Sequence, residues 1–138
     1  MEFAQIRDRV EIVPEGSEAI NDSGLIGTWI NSNTKTNGIA RMVVTRTDGQ
    51  LYLRTYAIGP DALLDWGPAP IEVLTSSASS RVGAGFSCRY DFGFGETRLQ
   101  GMIMKGLLVL AQFHSFKDTS KRASFFVREY FALEHNRF

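Results

Sequence analysis

From residue 25 onward, apolar and polar side chains alternate with a period of two along most of the chain. That is the spacing of half-buried strands, whose successive side chains point to opposite faces. Helical spacing is scarce. The alternation predicts eight strands, at 25–32, 39–47, 50–57, 71–76, 82–92, 97–104, 107–115 and 123–133. Asp48-Gly49 is a strong hairpin dipeptide, because a two-residue type I′ turn needs φ > 0 at both central positions. Lys105-Gly106 is a weaker instance, residues 93–96 and 117–121 read as longer turns, and 76–80 as a small polar connector. Residues 58–70, with prolines at 60, 68 and 70, read as the one long loop.

Eight short antiparallel strands joined in sequence predict an all-β fold, an eight-stranded up-and-down antiparallel barrel, with a β-sandwich as the alternative. Such a barrel is just wide enough to be filled by side chains or to hold one small ligand. Its connections alternate between two ends. Those at 48–49, 76–81 and 105–106 share one end, and those at 31–38, 58–70, 93–96 and 115–122 the other. Long loops frame openings, so the mouth is expected beside Trp66 and a closed floor beside Asp48-Gly49.

A tight turn at Lys105-Gly106 sets Ile103 opposite Leu108, Gly101 opposite Leu110, Leu99 opposite Gln112 and Thr97 opposite His114. Cross-strand partners share a face. This one is apolar toward the floor and polar near the mouth, as a lumen wall would be. The other face, with Met102, Met104, Leu107, Val109 and Phe113, is too apolar for a free surface and suggests a subunit contact, unless it is itself the lumen. Strands 39–47 and 50–57 leave the same choice. Met42, Val44, Leu51, Leu53 and Thr55 face inward in the ordinary reading. If Arg41, Arg54, Tyr52 and Tyr56 do so instead, Arg41 and Tyr56 reach the mouth, where an anion or enolate would want them.

A length of 138 residues indicates one domain with room for a core that needs no staple. Fifteen Lys+Arg against fifteen Asp+Glu leave no basic excess for nucleic acid or a membrane surface. No apolar run approaches the roughly 20 residues of a membrane-spanning helix. The start of the chain lacks the apolar stretch of a secretory signal, and Cys88 is the only cysteine. Both features set the expectation of a cytoplasmic protein without an internal disulfide. Cys88 itself reads as a small core hydrophobe. One Cys with His114 and His135 forms no ligand spacing, so neither metal nor cofactor is expected. Residues 1–24 carry six acids against Arg7 and Arg9 and read as an acidic N-terminal arm before a barrel domain at 25–138. Residues 1–70 hold six bases and nine acids, and residues 71–138 nine and six. With zero net charge and the apolar outer face, this asymmetry predicts a homodimer.

Gly27-x-Trp29, within Gly24-Leu25-Ile26-Gly27-Thr28-Trp29-Ile30, together with Arg128 in the last strand, resembles the calycin superfamily of lipocalins and fatty-acid-binding proteins. The resemblance implies a lipocalin-like barrel with Trp29 near its closed end, Arg128 packed across the indole, and a small, mostly apolar molecule inside. The chain departs from those families in lacking a helix after the barrel and a helix pair after the first strand.

The candidate ligand-binding residues are Trp29, Trp66, Phe86, Tyr90, Leu110, Gln112 and Arg128. Trp66 reads either as a lid over the mouth or as a loop anchor, and Asp65 as a turn cap. His114 is the leading acid/base candidate because its ordinary pKa lies near neutrality, with Arg41 and Tyr56 as its catalytic companions. Glu129 is either an inward carboxylate suited to general-acid work or a solvated outward one. The glycines at 83 and 85 mark sharp curvature or the approach of a ligand to the backbone. Two functions follow from one cavity. An enzyme would fold its ligand for cofactor-free cyclisation or isomerisation by positioning and electrostatics, whereas a carrier would hold it unchanged. A filled barrel would instead serve as a homo-oligomeric interaction module.

Overall fold

The computed structural model describes residues 19–135. Those residues form nine strands, not eight: β1 (Gly27–Asn31), β2 (Ile39–Thr47), β3 (Gln50–Ala57), β4 (Leu64–Pro70), β5 (Glu72–Thr75), β6 (Gly83–Asp91), β7 (Gly95–Met104), β8 (Leu107–Phe116) and β9 (Phe125–Leu133). They make one antiparallel sheet in the order β4-β3-β2-β1-β9-β8-β7-β6-β5. The two edge strands are separated in the chain by Ile71 alone, whose N–H donates to the Leu51 carbonyl at 3.1 Å. The sheet therefore curls until its edges meet at this corner, giving a nearly closed up-and-down barrel.

The strand beyond the expected eight is β4, in the segment read as a long loop. Its prolines are compatible with pairing because β4 bonds to β3 on one side only, and an edge strand can lack donors on the other. The β3–β4 ladder is interrupted where Arg54 faces Pro68 and Tyr56 faces Asp65, so Trp66 and Gly67 together oppose Thr55. This is a bulge, with Gly67 at φ 86°.

Both predicted hairpins are present. Asp48 and Gly49 have φ of 52° and 81°, and Lys105 and Gly106 have 53° and 82°, the left-handed pair that a type I′ turn requires. The β7–β8 register is the expected one, with Ile103 opposite Leu108 and Thr97 opposite His114. Leu99, Leu108, Leu110 and Gln112 are buried, whereas Met102 and Met104 are 48% and 52% exposed. The first face lines the interior and the methionine face is outside. On β2 and β3 the buried set is Ile39, Met42, Val44, Leu51, Leu53, Thr55 and Ala57, so the apolar face points inward.

Of the expected N-terminal arm, residues 1–18 lie outside the described residues. Residues 21–25 close the floor. Asn21 bridges Val82, a single 3-10 turn at Ser23–Leu25 buries Leu25, and the Leu25 carbonyl accepts the Trp29 indole N–H at 3.0 Å. Asp22 pairs with Arg46 at the same end. Above this plug the lower interior is filled by Met42, Leu53, Phe86, Leu99, Leu110 and Phe131, all fully buried. Glycines on β6 and β7 serve this close packing. A Cβ on Gly85 would lie 2.3 Å from the Gly101 carbonyl oxygen, and one on Gly101 would lie 2.7 Å from the Phe86 ring. Among the described residues no helix is long and apolar enough to cross a membrane.

Candidate functional site

The interior is filled below and open above. At the end carrying the β1–β2, β3–β4 and β8–β9 connections lies a pocket of about 640 Å³, walled by Ile39, Ala57, Trp66, Phe125 and Val127 and carrying His114 and Glu129. A second cavity of about 400 Å³ lies on the other side of Trp66 and His114, against Phe92, Phe94, Thr97 and Phe116. Both are at the end where the mouth was expected. The β4 bulge carries Trp66 to this position. Asp65 anchors the bulge by accepting the Gly67 N–H at 2.9 Å and pairing with Arg54 through both carboxylate oxygens. Those bonds hold the exposed Asp65 carboxyl below its ordinary pKa, the Arg54 bond most of all. The indole sits edge-on against Tyr90 and Phe92, at centroid distances of 5.2 and 5.0 Å.

Along the inner wall runs a chain of polar contacts across three strands and one loop. Thr97 Oγ1 is 2.9 Å from His114 Nδ1, His114 Nε2 is 3.2 Å from Gln112 Oε1, and Gln112 Nε2 donates to Glu129 Oε1 at 2.9 Å. Thr36, from the β1–β2 loop, donates to Glu129 Oε2 at 3.0 Å. That loop is tied down by Asn31, whose amide donates to the Ile39 carbonyl and accepts the Asn33 N–H. The direction of the chain follows from its end. An ionised carboxylate only accepts, so Gln112 must turn its NH2 to Glu129 and its carbonyl to His114. His114 Nε2 then carries the proton, and Nδ1 accepts the Thr97 hydroxyl. Burial lowers the His114 pKa, which favours this neutral tautomer. The imidazole stacks on Phe125 at 4.5 Å between centroids.

The sequence-derived candidates separate into three groups. His114, Gln112 and Trp66 come together at the mouth. Trp29, Phe86 and Leu110 are sealed in the packed interior, at 2%, 0% and 0% exposure. Tyr90 is buried as a strut, its hydroxyl within 3.2 Å of the Leu53 and Gly67 carbonyls and the Thr55 hydroxyl. Burial raises its pKa to about 12.

Arg41 and Tyr56 are ladder partners on the outer face, with the guanidinium 4.6 Å above the ring, and so do not accompany His114. Arg128 does not cross Trp29. The β1–β9 register sets Trp29 opposite Leu133, so the inward residues of β9 are the odd-numbered ones and Arg128 is outside, 6.0 Å from the Phe126 ring. The same parity turns Glu129 inward. Thr36, Thr97 and Phe125 were not singled out from the sequence. Thr97 was legible as the cross-strand partner of His114, but nothing local marks Thr36. Cys88 is buried, and desolvation raises its thiol to about 11, which suits a core side chain and not a nucleophile. Among the described residues no three His, Cys, Asp or Glu side chains converge as a metal ion needs.

No family model matches the chain, and no curated protein or solved structure is significantly similar to it. The nearly closed antiparallel barrel is compatible with a calycin-like fold, although the Arg128–Trp29 contact that the resemblance implied is absent.

Proposed function

We propose that this protein binds one small, mostly apolar or aromatic molecule in the mouth of the barrel and holds it unchanged. The mouth pocket carries the reading. It has the size and make-up of a small-ligand site, with apolar and aromatic walls and a few converging polar groups. The filled lower interior supports a shallow site, not a deep lumen around Trp29.

Holding is favoured over cyclisation or isomerisation by the state of His114. A general base needs a lone pair directed at the ligand, and both ring nitrogens of His114 face protein partners. Arg41 and Tyr56, the other proposed catalytic groups, are across the wall. The exposed Met102, Met104, Leu107 and Tyr130 on the outer face support self-association, which sedimentation velocity reads directly.

N-Phenyl-1-naphthylamine, whose emission rises in apolar surroundings, tests the pocket. A saturable rise with one site per chain is expected, and Trp66→Ala should weaken it by about tenfold, as loss of a central aromatic anchor does. Absence of saturable binding to the folded protein removes the reading.

A further inference from the structure

The chemistry of the mouth selects among small molecules. Glu129 is half-buried on the inner face of β9, and its two oxygens accept from Gln112 and Thr36, both neutral donors. Among the described residues no Lys or Arg pairs with it; the other described carboxylates without such a partner, Asp48, Asp61, Glu72 and Glu134, are all exposed, and Asp22, Asp65, Asp91, Glu96 and Asp118 are paired. Arg128, its sequence neighbour, contributes to the pocket rim, but it alternates to the opposite face of the strand, with its guanidinium beside the Phe126 ring, and forms no ion pair with Glu129. The polar chain also runs one way: the Thr97 hydroxyl, the His114 Nε2–H and the Gln112 amide each direct a proton toward Glu129. These aligned dipoles all turn hydrogen toward the carboxylate, and none of them carries a formal charge. A half-buried carboxylate in a mostly apolar pocket is costly unless it is paired. Here the protein supplies hydrogen bonds, and among the described residues no Lys or Arg stands within ion-pair distance. Of the other walls, Trp66 and Phe125 are aromatic, and ring faces attract organic cations.

We infer that the occupant of the mouth is an organic ammonium compound, its cationic nitrogen on Glu129 and its apolar or aromatic body between Trp66 and Phe125. This rests on the pocket reading above and adds the sign of the ligand's charge. An anion is disfavoured by the same carboxylate, and a neutral hydroxyl would donate to Glu129 without supplying the missing charge.

Displacement of bound N-phenyl-1-naphthylamine near neutral pH by three matched probes tests it: 2-phenylethylammonium, 2-phenylethanol and 3-phenylpropionate. The ammonium is expected to compete at least about tenfold more strongly than either of the others, the difference that a charge-assisted hydrogen bond confers. Glu129→Gln should bring the three within about twofold of each other, because the charge-assisted bond is gone while a neutral acceptor remains. Equal or stronger competition by the alcohol or the carboxylate in the unmodified protein overturns the charge assignment and leaves the pocket reading standing. That comparison needs no variant. Failure of the naphthylamine to bind at all overturns both. An ammonium preference that survives Glu129→Gln overturns the role of Glu129.

Discussion

Removing the hydroxyl of Tyr90 tests how the barrel holds the strand that builds its mouth. β4 is bonded to β3 alone, and that ladder breaks at the Trp66-Gly67 bulge. Tyr90 reaches from β6 to this break, 2.9 Å from the Gly67 carbonyl, 3.1 Å from that of Leu53 and 3.2 Å from Thr55 Oγ1. A phenol has one proton, which Tyr90 shares among these three acceptors. Tyr90→Phe leaves the Thr55 hydroxyl, which is 0% exposed, without its side-chain partner. A buried polar group orphaned in this way costs about 1–3 kcal/mol. For a chain of this length that corresponds to a fall in Tm of roughly 3–15 °C. Thr55→Val in the Tyr90→Phe background should recover part of the loss, because replacing both partners by apolar groups of similar shape is nearly neutral. Thermal and urea unfolding followed by circular dichroism on the four members of the cycle gives the coupling, expected between about 0.5 and 3 kcal/mol for residues in contact. Hydrogen exchange should localise the loosening to Leu64–Pro70. A Tm for Tyr90→Phe within about 1 °C of the parent, or a double variant no more stable than the additive sum, would refute the strut.

Two further outcomes follow from burial and from backbone spacing. His114 is kept neutral by burial in the folded chain but titrates near its ordinary value of 6.5 when unfolded. The unfolded state therefore binds the extra proton first as pH falls, and stability is lost from that value downward through the depressed folded one. Tm measured from about pH 7.5 to about pH 5 should fall more steeply for the parent than for His114→Gln, and parallel profiles would contradict the assignment. Gly85→Ala drives a Cβ against the Gly101 carbonyl oxygen at 2.3 Å, while at Gly24 an added Cβ meets nothing within 4 Å. The first should lower the urea midpoint by an amount equivalent to about 1–3 kcal/mol and the second should leave it unchanged, so equal midpoints would show that the β6–β7 spacing can relax.

Strand existence was legible wherever alternation met a two-residue turn, as at β2–β3 and β7–β8. There the turn fixes the register, and the register fixes every inward residue down to Thr97 and His114. β4 was hidden for a physical reason. Its prolines and Gly67 carry the composition of a loop, and only the three-dimensional fact that the strand is an edge makes them compatible with pairing. Glu129 remained undecided between two faces because the faces of β9 are set by pairing to β1 across nearly the whole chain length. No local pattern encodes Trp29 opposite Leu133. The same pairing removed Arg128 from the interior, so one register choice set a carboxylate, not a cation, on the inner face of β9. Arg41 and Tyr56 show the converse, since the ordinary apolar-inward rule already placed them outside.

Gln112 is where packed interior and polar mouth meet. It is 2% exposed and stands next to Leu110 on the inward face of β8, yet its side-chain partners, Glu129 and His114, lie on the mouth side. An amide there presents a donor to one neighbour and an acceptor to the other. Glu129 sets that order, and through it the His114 tautomer. A buried glutamine is costly unless both ends are satisfied, and here each end is, by side chains from different strands. The residue thus makes the proton arrangement around the pocket depend on the charge of one carboxylate. Neutralising Glu129 frees Gln112 to rotate and His114 to exchange its proton between nitrogens. A cation bound at Glu129 would hold the ordered chain in place.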